Sequence, residues 1–218
     1  MIASFAKLTL IVISIIAIAA IYFYIVADKS HFEGSFFINL NKTLAVSGAL
    51  CIIVSLSLST IRKIGIKFNQ SINFFIKHLG LIGFYIASLH ILFSLMLLNS
   101  KNHPYLFDVD LQLNLGGQMT VLFGAISFGI FLLPAITSIS AVKNGMSKEK
   151  WKSVQGLSYF GIASVSVHLL FISFERYAFA ADNNIKFNFE PLVLTVIILI
   201  MLFLRIITIF LKKTKKEN

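Results

Sequence analysis

Two histidines are the residues of this sequence best placed for cofactor chemistry. The sequence has five histidines, and only His90 and His168 lie deep within long apolar segments. An ionisable side chain inside a membrane is costly, so it is a functional hypothesis by default. Two neutral imidazoles on different helices can be the axial ligands of one haem iron. The alternative is two core histidines, each hydrogen-bonded to a nearby serine, threonine or carbonyl, for which Ser88, Ser164 and Ser166 are candidate partners.

The segments around these histidines have the length and composition of membrane spans. Of the 218 residues, 57% are hydrophobic and only 13% are charged. This composition excludes a soluble enzyme and a nucleic-acid reader. A spanning helix needs about 20 apolar residues. We therefore predict an all-α integral membrane protein, a six transmembrane helix bundle that forms a single domain over 1–218. The predicted spans lie at about 8–27, 43–61, 79–99, 117–139, 156–174 and 191–211.

Prolines and the first apolar run refine this prediction. The first span is longer than the apolar region of a signal peptide, about 7–15 residues, and we expect an uncleaved anchor. Pro134 lies inside the fourth span and predicts a kink there. Pro191 falls at the start of the sixth span, where its missing N–H costs little.

The single cysteine, Cys51, excludes an internal disulfide.

The distribution of cations predicts the orientation. Lysines and arginines concentrate on the side that holds both termini and the loops near 62–78 and 140–155. Only two acids, Glu149 and Glu217, lie on that side. The positive-inside rule therefore places both termini in the cytoplasm. The cations on that side are Lys7, Arg62, Lys63, Lys67, Lys77, Lys143, Lys148, Lys150, Lys152, Lys212, Lys213, Lys215 and Lys216.

This topology predicts that the two histidines lie at the same depth. Helices three and five run in the same direction, and His90 and His168 follow Leu79 and Gly156 by similar numbers of residues. At 1.5 Å per residue, both lie roughly 16–18 Å from the cytoplasmic end. We therefore predict two level imidazoles on parallel helices, an arrangement that suits axial ligation of one haem iron and that two core histidines would also show. The sequence contains no HExxH motif, cysteine cluster or P-loop, which argues against a zinc or nucleotide site.

Short motifs around these residues resemble a known family. A basic residue, Lys77, precedes Leu79-Gly80, and His90 follows ten residues beyond that glycine. Trp151-Lys152-Ser153-Val154-Gln155 opens helix five, and His168 follows. Together with Leu204-Arg205 in helix six, these motifs resemble the ferric reductase-like transmembrane family. In size the chain is closest to that family's MsrQ/YedZ haem-binding membrane subunits.

The resemblance implies an oxidoreductase-type electron-transfer subunit of the bacterial cytoplasmic (inner) membrane. It implies haem b with His90 and His168 as axial ligands. Electrons would come from quinol or from a flavin donor, either bound FMN or a cytoplasmic flavin reductase. The acceptor at the outer face would be a periplasmic reductase subunit or ferric iron. Family members usually carry a second helix-five histidine where this sequence has Gln155. We therefore expect one haem, near the outer face, and leave the role of His78 open.

Two arginines are further candidates for cofactor binding. Arg176 lies just beyond predicted helix five and can pair with a haem propionate, or with Glu175 or Asp182. Arg205 lies near the cytoplasmic end of helix six, where a quinone, a flavin phosphate or a propionate can contact it. Snorkelling to the interface is the alternative for Arg205. The alternative function for the whole chain is a haem-free membrane transporter or assembly factor.

Overall fold

The computed structural model describes residues 2–23, 36–64, 66, 68–69, 71–183 and 189–217, with 2–5 and 212–217 as backbone only. These residues form eight α-helices and a short 3-10 helix, Pro104–Leu106, and no strand longer than one isolated bridge occurs among them. The helices are α1 (Ile2–Ile21), α2 (Phe36–Lys63), α3 (Ile72–Leu97), α4 (Leu115–Ile136), α5 (Ser140–Asn144), α6 (Lys148–Gly156), α7 (Ser158–Asp182) and α8 (Glu190–Glu217). The predicted all-α class is confirmed.

Five helical segments of the described chain are long and apolar enough to cross a membrane. They are Phe36–Lys63, Ile72–Leu97, Leu115–Ile136, Lys148–Asp182 and Glu190–Leu211. The apolar part of α1, Ala6–Ile21, is shorter, and the end of the predicted first span lies outside the described residues. A multi-pass membrane protein is thus confirmed. The sixth span and the cytoplasmic termini stay predictions.

Several helices extend beyond the apolar segments that predicted them. α2 begins at Phe36 rather than at residue 43, and α3 begins at Ile72 rather than at residue 79. α7 continues to Asp182 rather than ending at residue 174. Hydropathy ends a predicted span at the first polar residues, whereas the backbone hydrogen bonds of a helix do not depend on apolar side chains. Asn41 and Arg176 consequently lie within helices.

The region predicted as one cytoplasmic loop contains two short helices. α4 ends at Ile136, two residues after Pro134, and α5 and α6 follow. Ser147 caps α6 by accepting a hydrogen bond from the Lys150 N–H. Pro191 is the second residue of α8, as predicted for the start of the last span. The region 140–155 therefore consists of two short helices joined by residues 145–147 rather than of a simple connection.

The chain divides into two compact units. The first comprises Met1–Met96 and Phe203–Asn218, and the second comprises Leu97–Leu202. His90 belongs to the first unit and His168 to the second. The single domain over 1–218 stays a prediction.

In the first unit, α2 and α3 meet in a regular antiparallel register. The Ser55 hydroxyl donates to the Ile76 carbonyl at 2.6 Å. Seven residues away on each helix, a Cβ on Gly83 would lie 2.9 Å from the Gly48 carbonyl oxygen. After seven more residues on each helix, Asn41 contacts His90. Two glycines thus allow a close approach, and the seven-residue repeat brings Asn41 and His90 together two turns away.

In the second unit, α4 packs along α7. Gly161 of α7 leaves room for the Phe131 ring, whose nearest atoms would lie 3.0 Å from a Cβ at that position. The Ser164 hydroxyl donates to the Phe123 carbonyl at 3.1 Å. These contacts hold the two helices closely enough for a side chain of one to reach the backbone of the other.

Asn114 joins three parts of the second unit. Its Oδ1 accepts a hydrogen bond from the Gly117 N–H at 2.7 Å, which caps α4. Its Nδ2 donates to the Tyr105 carbonyl and to the Glu175 carboxylate, each at 3.0 Å. We expect Asn114→Ala to destabilise this unit by about 2 kcal/mol, because it removes a helix cap and leaves polar partners unsatisfied. Thermal unfolding in detergent measures the change. Gln118→Ala, at an exposed position, should leave the midpoint unchanged.

Candidate functional site

His168 is held by the backbone of the neighbouring helix. Its Nδ1 lies 2.7 Å from the Thr120 carbonyl oxygen. A carbonyl oxygen can only accept a hydrogen bond, so Nδ1 carries the proton and donates it. In the neutral imidazole, the lone pair is then on Nε2, which is the arrangement in which histidine binds a metal.

Gly124 provides the space that this ring occupies. A Cβ at Gly124 would lie 3.2 Å from His168 Nδ1 and 3.4 Å from Cε1. Gly124 follows Thr120 by one helical turn on α4, so the same face supplies both the hydrogen-bond acceptor and the room for the ring. The backbone of α4 therefore fixes both the tautomer and the position of His168.

A glycine pair on α4 tests this contact. We expect Gly124→Ala to displace the His168 ring by a few tenths of an ångström and, if this ring binds a haem, to weaken haem retention by about threefold to tenfold. Gly129→Ala is the matched control, because no described atom would lie within 4 Å of its Cβ. Haem content after purification measures the difference. Equal loss in both variants would contradict the contact.

His90 has a different kind of anchor. Its Nδ1 lies 2.8 Å from Asn41 Oδ1 and 3.2 Å from the Asn41 main-chain oxygen. The Ser94 hydroxyl lies 3.3 Å from the same nitrogen. The main-chain oxygen accepts only, so Nδ1 of His90 also carries the proton and Nε2 the lone pair. Asn41 was not singled out from the sequence, because the predicted second span began after it.

The donor set fits haem iron. Both imidazoles donate Nδ1–H to a carbonyl oxygen, and metal-bound histidines commonly do so through the ring nitrogen that does not bind the metal. The two histidines lie in separate compact units, and their predicted level, facing arrangement stays a prediction. The three serines named as candidate partners donate to backbone carbonyls: Ser88 to Phe84, Ser164 to Phe123 and Ser166 to Ile162. The carbonyl contacts of the two histidines also agree with the core-histidine alternative, which therefore stays open beside haem ligation.

Gln155 has a structural partner at the end of α4. Its Nε2 donates to the Pro134 carbonyl at 3.0 Å and to the Thr137 hydroxyl at 3.1 Å. Nearby, Trp151 Nε1 donates to the Thr137 carbonyl at 3.1 Å. Pro134 is near the helix end, where carbonyls need partners from outside the helix. The amide at position 155 shares this carbonyl with the hydroxyls of Thr137 and Ser138.

The other two histidines that the structure describes, His78 and His103, have local partners. His78 lies within α3, and its Nδ1 is 2.8 Å from the Phe74 carbonyl one turn earlier. The His78 and Phe74 rings are also in contact, with centroids 3.9 Å apart. His103 Nδ1 lies 3.1 Å from the Tyr105 hydroxyl. His31 lies outside the described residues.

Arg176 lies inside α7, which corrects its predicted position just beyond helix five. Its Nη2 donates to the Tyr105 hydroxyl at 3.2 Å, and the guanidinium lies over the Tyr105 ring, 5.2 Å from the centroid. Glu175, one of its predicted partners, binds Asn114. Both charged side chains thus have polar partners, and α7 continues past Glu175 and Arg176 to Asp182. Arg205 is partly buried on α8, and its contact with a cofactor stays a prediction.

No group of three or more His, Cys, Asp or Glu side chains that could hold a metal ion occurs within the described residues. His90 and His168, the two histidines predicted as haem ligands, stay candidates.

Comparison with known proteins gives two informative relatives. No family model matches the chain. The chain is 29% identical over 163 residues to human (Homo sapiens) metalloreductase STEAP2, a match that covers 64% of this chain and 33% of the relative. It is 30% identical over 121 residues to the mouse (Mus musculus) metalloreductase STEAP2, and this match covers 49% of this chain and 24% of the relative. The chain thus spans a third or less of the length of these curated relatives.

Proposed function

We propose that this chain is a haem b-binding membrane subunit that transfers electrons to an acceptor at the outer face of the bacterial cytoplasmic membrane. One observation carries the proposal: both deep histidines donate Nδ1–H to a carbonyl oxygen and so have the tautomer that binds iron through Nε2. The named activity of the two relatives, metal reduction, supports an oxidoreductase role. A bound haem would supply reversible one-electron chemistry.

The residues of the chain have distinct tasks in this proposal. His90 and His168 bind the iron, and their hydrogen bonds to Asn41 and Thr120 orient the rings. Apolar helices exclude water from the site and thereby help to set the potential. Arg176, whose charge is held against Tyr105, is the candidate partner of a propionate. Arg205 is the candidate contact for a propionate, quinone or flavin phosphate on α8.

The proposal has more than one candidate for the electron donor and for the electron acceptor. The use of Gln155 in a structural contact supports a single haem, since an amide bound to backbone and hydroxyl groups does not replace an imidazole. A single haem favours quinol or bound FMN as the immediate donor, with a cytoplasmic flavin reductase as the other candidate. The relatives' name suggests a metal ion as the acceptor, and the resemblance to the ferric reductase-like family suggests that this ion is ferric iron. A periplasmic reductase subunit is the acceptor suggested by the resemblance to MsrQ/YedZ.

Optical spectra of the purified full chain test the proposal. After expression in haem-replete cells, we expect Soret and α bands on reduction with dithionite and one haem per chain by pyridine haemochromogen assay. A protein without haem bands would favour the haem-free transporter or assembly factor. Two haems per chain would contradict the structural assignment of Gln155.

Reoxidation of the reduced protein distinguishes the acceptors. Dithionite-reduced protein, freed of excess reductant and kept anaerobic, is mixed with ferric nitrilotriacetate in a stopped-flow spectrometer. We expect rapid loss of the reduced α band if ferric iron is the acceptor. Oxidation that is slow with the chelate and fast with an added reductase subunit would favour a protein partner.

A further inference from the structure

We propose that Asn41 is a positioning residue for His90 and sets the reduction potential of the iron to which His90 binds. The inference rests on the proposed function, because it concerns the same haem ligand. Asn41 is 6% exposed, and it contacts the His90 ring from a neighbouring helix. A buried amide at this place is costly unless it is hydrogen-bonded, and its bonds are made with a candidate ligand.

The direction of the hydrogen bond follows from the backbone. The Asn41 main-chain oxygen lies 3.2 Å from His90 Nδ1 and can only accept. Nδ1 therefore carries a proton, and the Asn41 side-chain atom 2.8 Å away must be the acceptor oxygen rather than the amide nitrogen.

Ser94 holds the amide in this orientation. Asn41 Nδ2 donates to the Ser94 hydroxyl at 3.0 Å. Ser94 lies one turn beyond His90 on α3, and its hydroxyl is 3.3 Å from His90 Nδ1. The three polar side chains thus form a closed triangle in which each contacts the other two. A network that is satisfied in this way fixes the ring more strongly than a single contact does.

The α2–α3 register maintains the triangle. Gly48 and Gly83 bring the two backbones together, and Asn41 and His90 lie seven residues away on their respective helices. Two helical turns separate the triangle from the crossing point, about 10.5 Å along each helix. The position of Asn41 is therefore set by the packing of the helices and not by a flexible loop.

The expected effect on potential has a clear sign. A stronger acceptor at Nδ1 makes the imidazole more electron-donating, which stabilises ferric relative to ferrous iron and lowers the potential. Removal of the acceptor has the opposite effect. At His168 the acceptor is the backbone carbonyl of Thr120, which remains present whatever side chain replaces that of Thr120. Position 41 is where a side chain adjusts this property at His90.

Redox titration of Asn41 variants of the full chain tests the inference. We expect Asn41→Asp to disfavour reduction by about tenfold, equivalent to about 59 mV for one electron. We expect Asn41→Leu to shift the equilibrium in the opposite direction. Low-temperature electron paramagnetic resonance of the ferric protein should show altered g values in both variants. Ser94→Ala, which changes neither α2 nor the charge, should shift the equilibrium as Asn41→Leu does, but by less.

Asn39 supplies the matched control. It is also 6% exposed and lies two residues away on α2, and no described hydrogen bond joins it to His90. Asn39→Asp and Asn39→Leu should shift the equilibrium by less than twofold. Unchanged potential and g values in the Asn41 and Ser94 variants, or equal shifts in the Asn39 variants, would overturn the inference. If the unsubstituted protein holds no haem, the proposed function itself fails.

Discussion

Replacement of His168 by asparagine is expected to lower the haem content of the purified protein by at least about tenfold. The asparagine amide can still donate to the Thr120 carbonyl, the bond that His168 Nδ1 makes at 2.7 Å. It has no atom that replaces Nε2. A residue whose only task is this core hydrogen bond would tolerate the change, whereas an iron ligand would not. The haemochromogen assay, normalised to protein, measures the result.

The same substitution elsewhere provides the comparison. His90→Asn should also lose haem, while His103→Asn should retain it, because His103 contacts Tyr105 outside the long apolar helices. Circular dichroism shows whether each variant keeps its helices. Haem retained by a folded His168→Asn protein would contradict ligation by His168 and would favour the core-histidine alternative.

Gly83→Ala is expected to destabilise the first compact unit by about 1–3 kcal/mol. A Cβ there would lie 2.8 Å from Ile52 Cγ1 and 2.9 Å from the Gly48 carbonyl oxygen. The backbone oxygen cannot rotate away, so α2 and α3 must separate. That separation also lengthens the Asn41–His90 contact, and we expect haem loss on heating to begin at a lower temperature. Thermal unfolding followed by circular dichroism and by Soret absorbance measures both effects.

Gly80→Ala on the same helix is the control. Its Cβ would meet only side-chain atoms, the Ser55 hydroxyl at 3.2 Å and the Ser55 Cβ at 3.8 Å. Ser55 can shift slightly without moving either backbone, so the unfolding midpoint should change less than in Gly83→Ala. Equal unfolding midpoints for the two variants would contradict the prediction that the close approach of α2 and α3 at Gly83 requires a glycine there.

Helices were predictable from the sequence because long apolar runs have few other stable structures in a membrane. Their ends were not, since hydropathy reports side chains and not backbone bonds. The apolar run of the second span begins after Asn41, whereas α2 already begins at Phe36 and includes Asn41. α7 likewise passes through Arg176, whose charge is accommodated by Tyr105.

The candidate ligands were predictable for the reason that they are unusual: His90 and His168 are imidazoles within apolar helices. Asn41 was missed because the span prediction excluded it. One signal could have found it, the seven-residue spacing from Asn41 to Gly48 on one helix and from Gly83 to His90 on the next. The departure at Gln155 was visible in the sequence, but its bond to the Pro134 carbonyl depends on the packing of α6 against α4.

The two ring anchors differ in how they respond to mutation over evolutionary time. The acceptor for His168 is a peptide carbonyl, which persists whatever residue a codon change places at position 120. The side-chain acceptor for His90 changes with one codon, because an asparagine codon becomes an aspartate codon through a single base. If His90 binds a redox-active iron as proposed, selection on electron affinity has a direct target in the side chain at position 41 and none in the side chain at position 120.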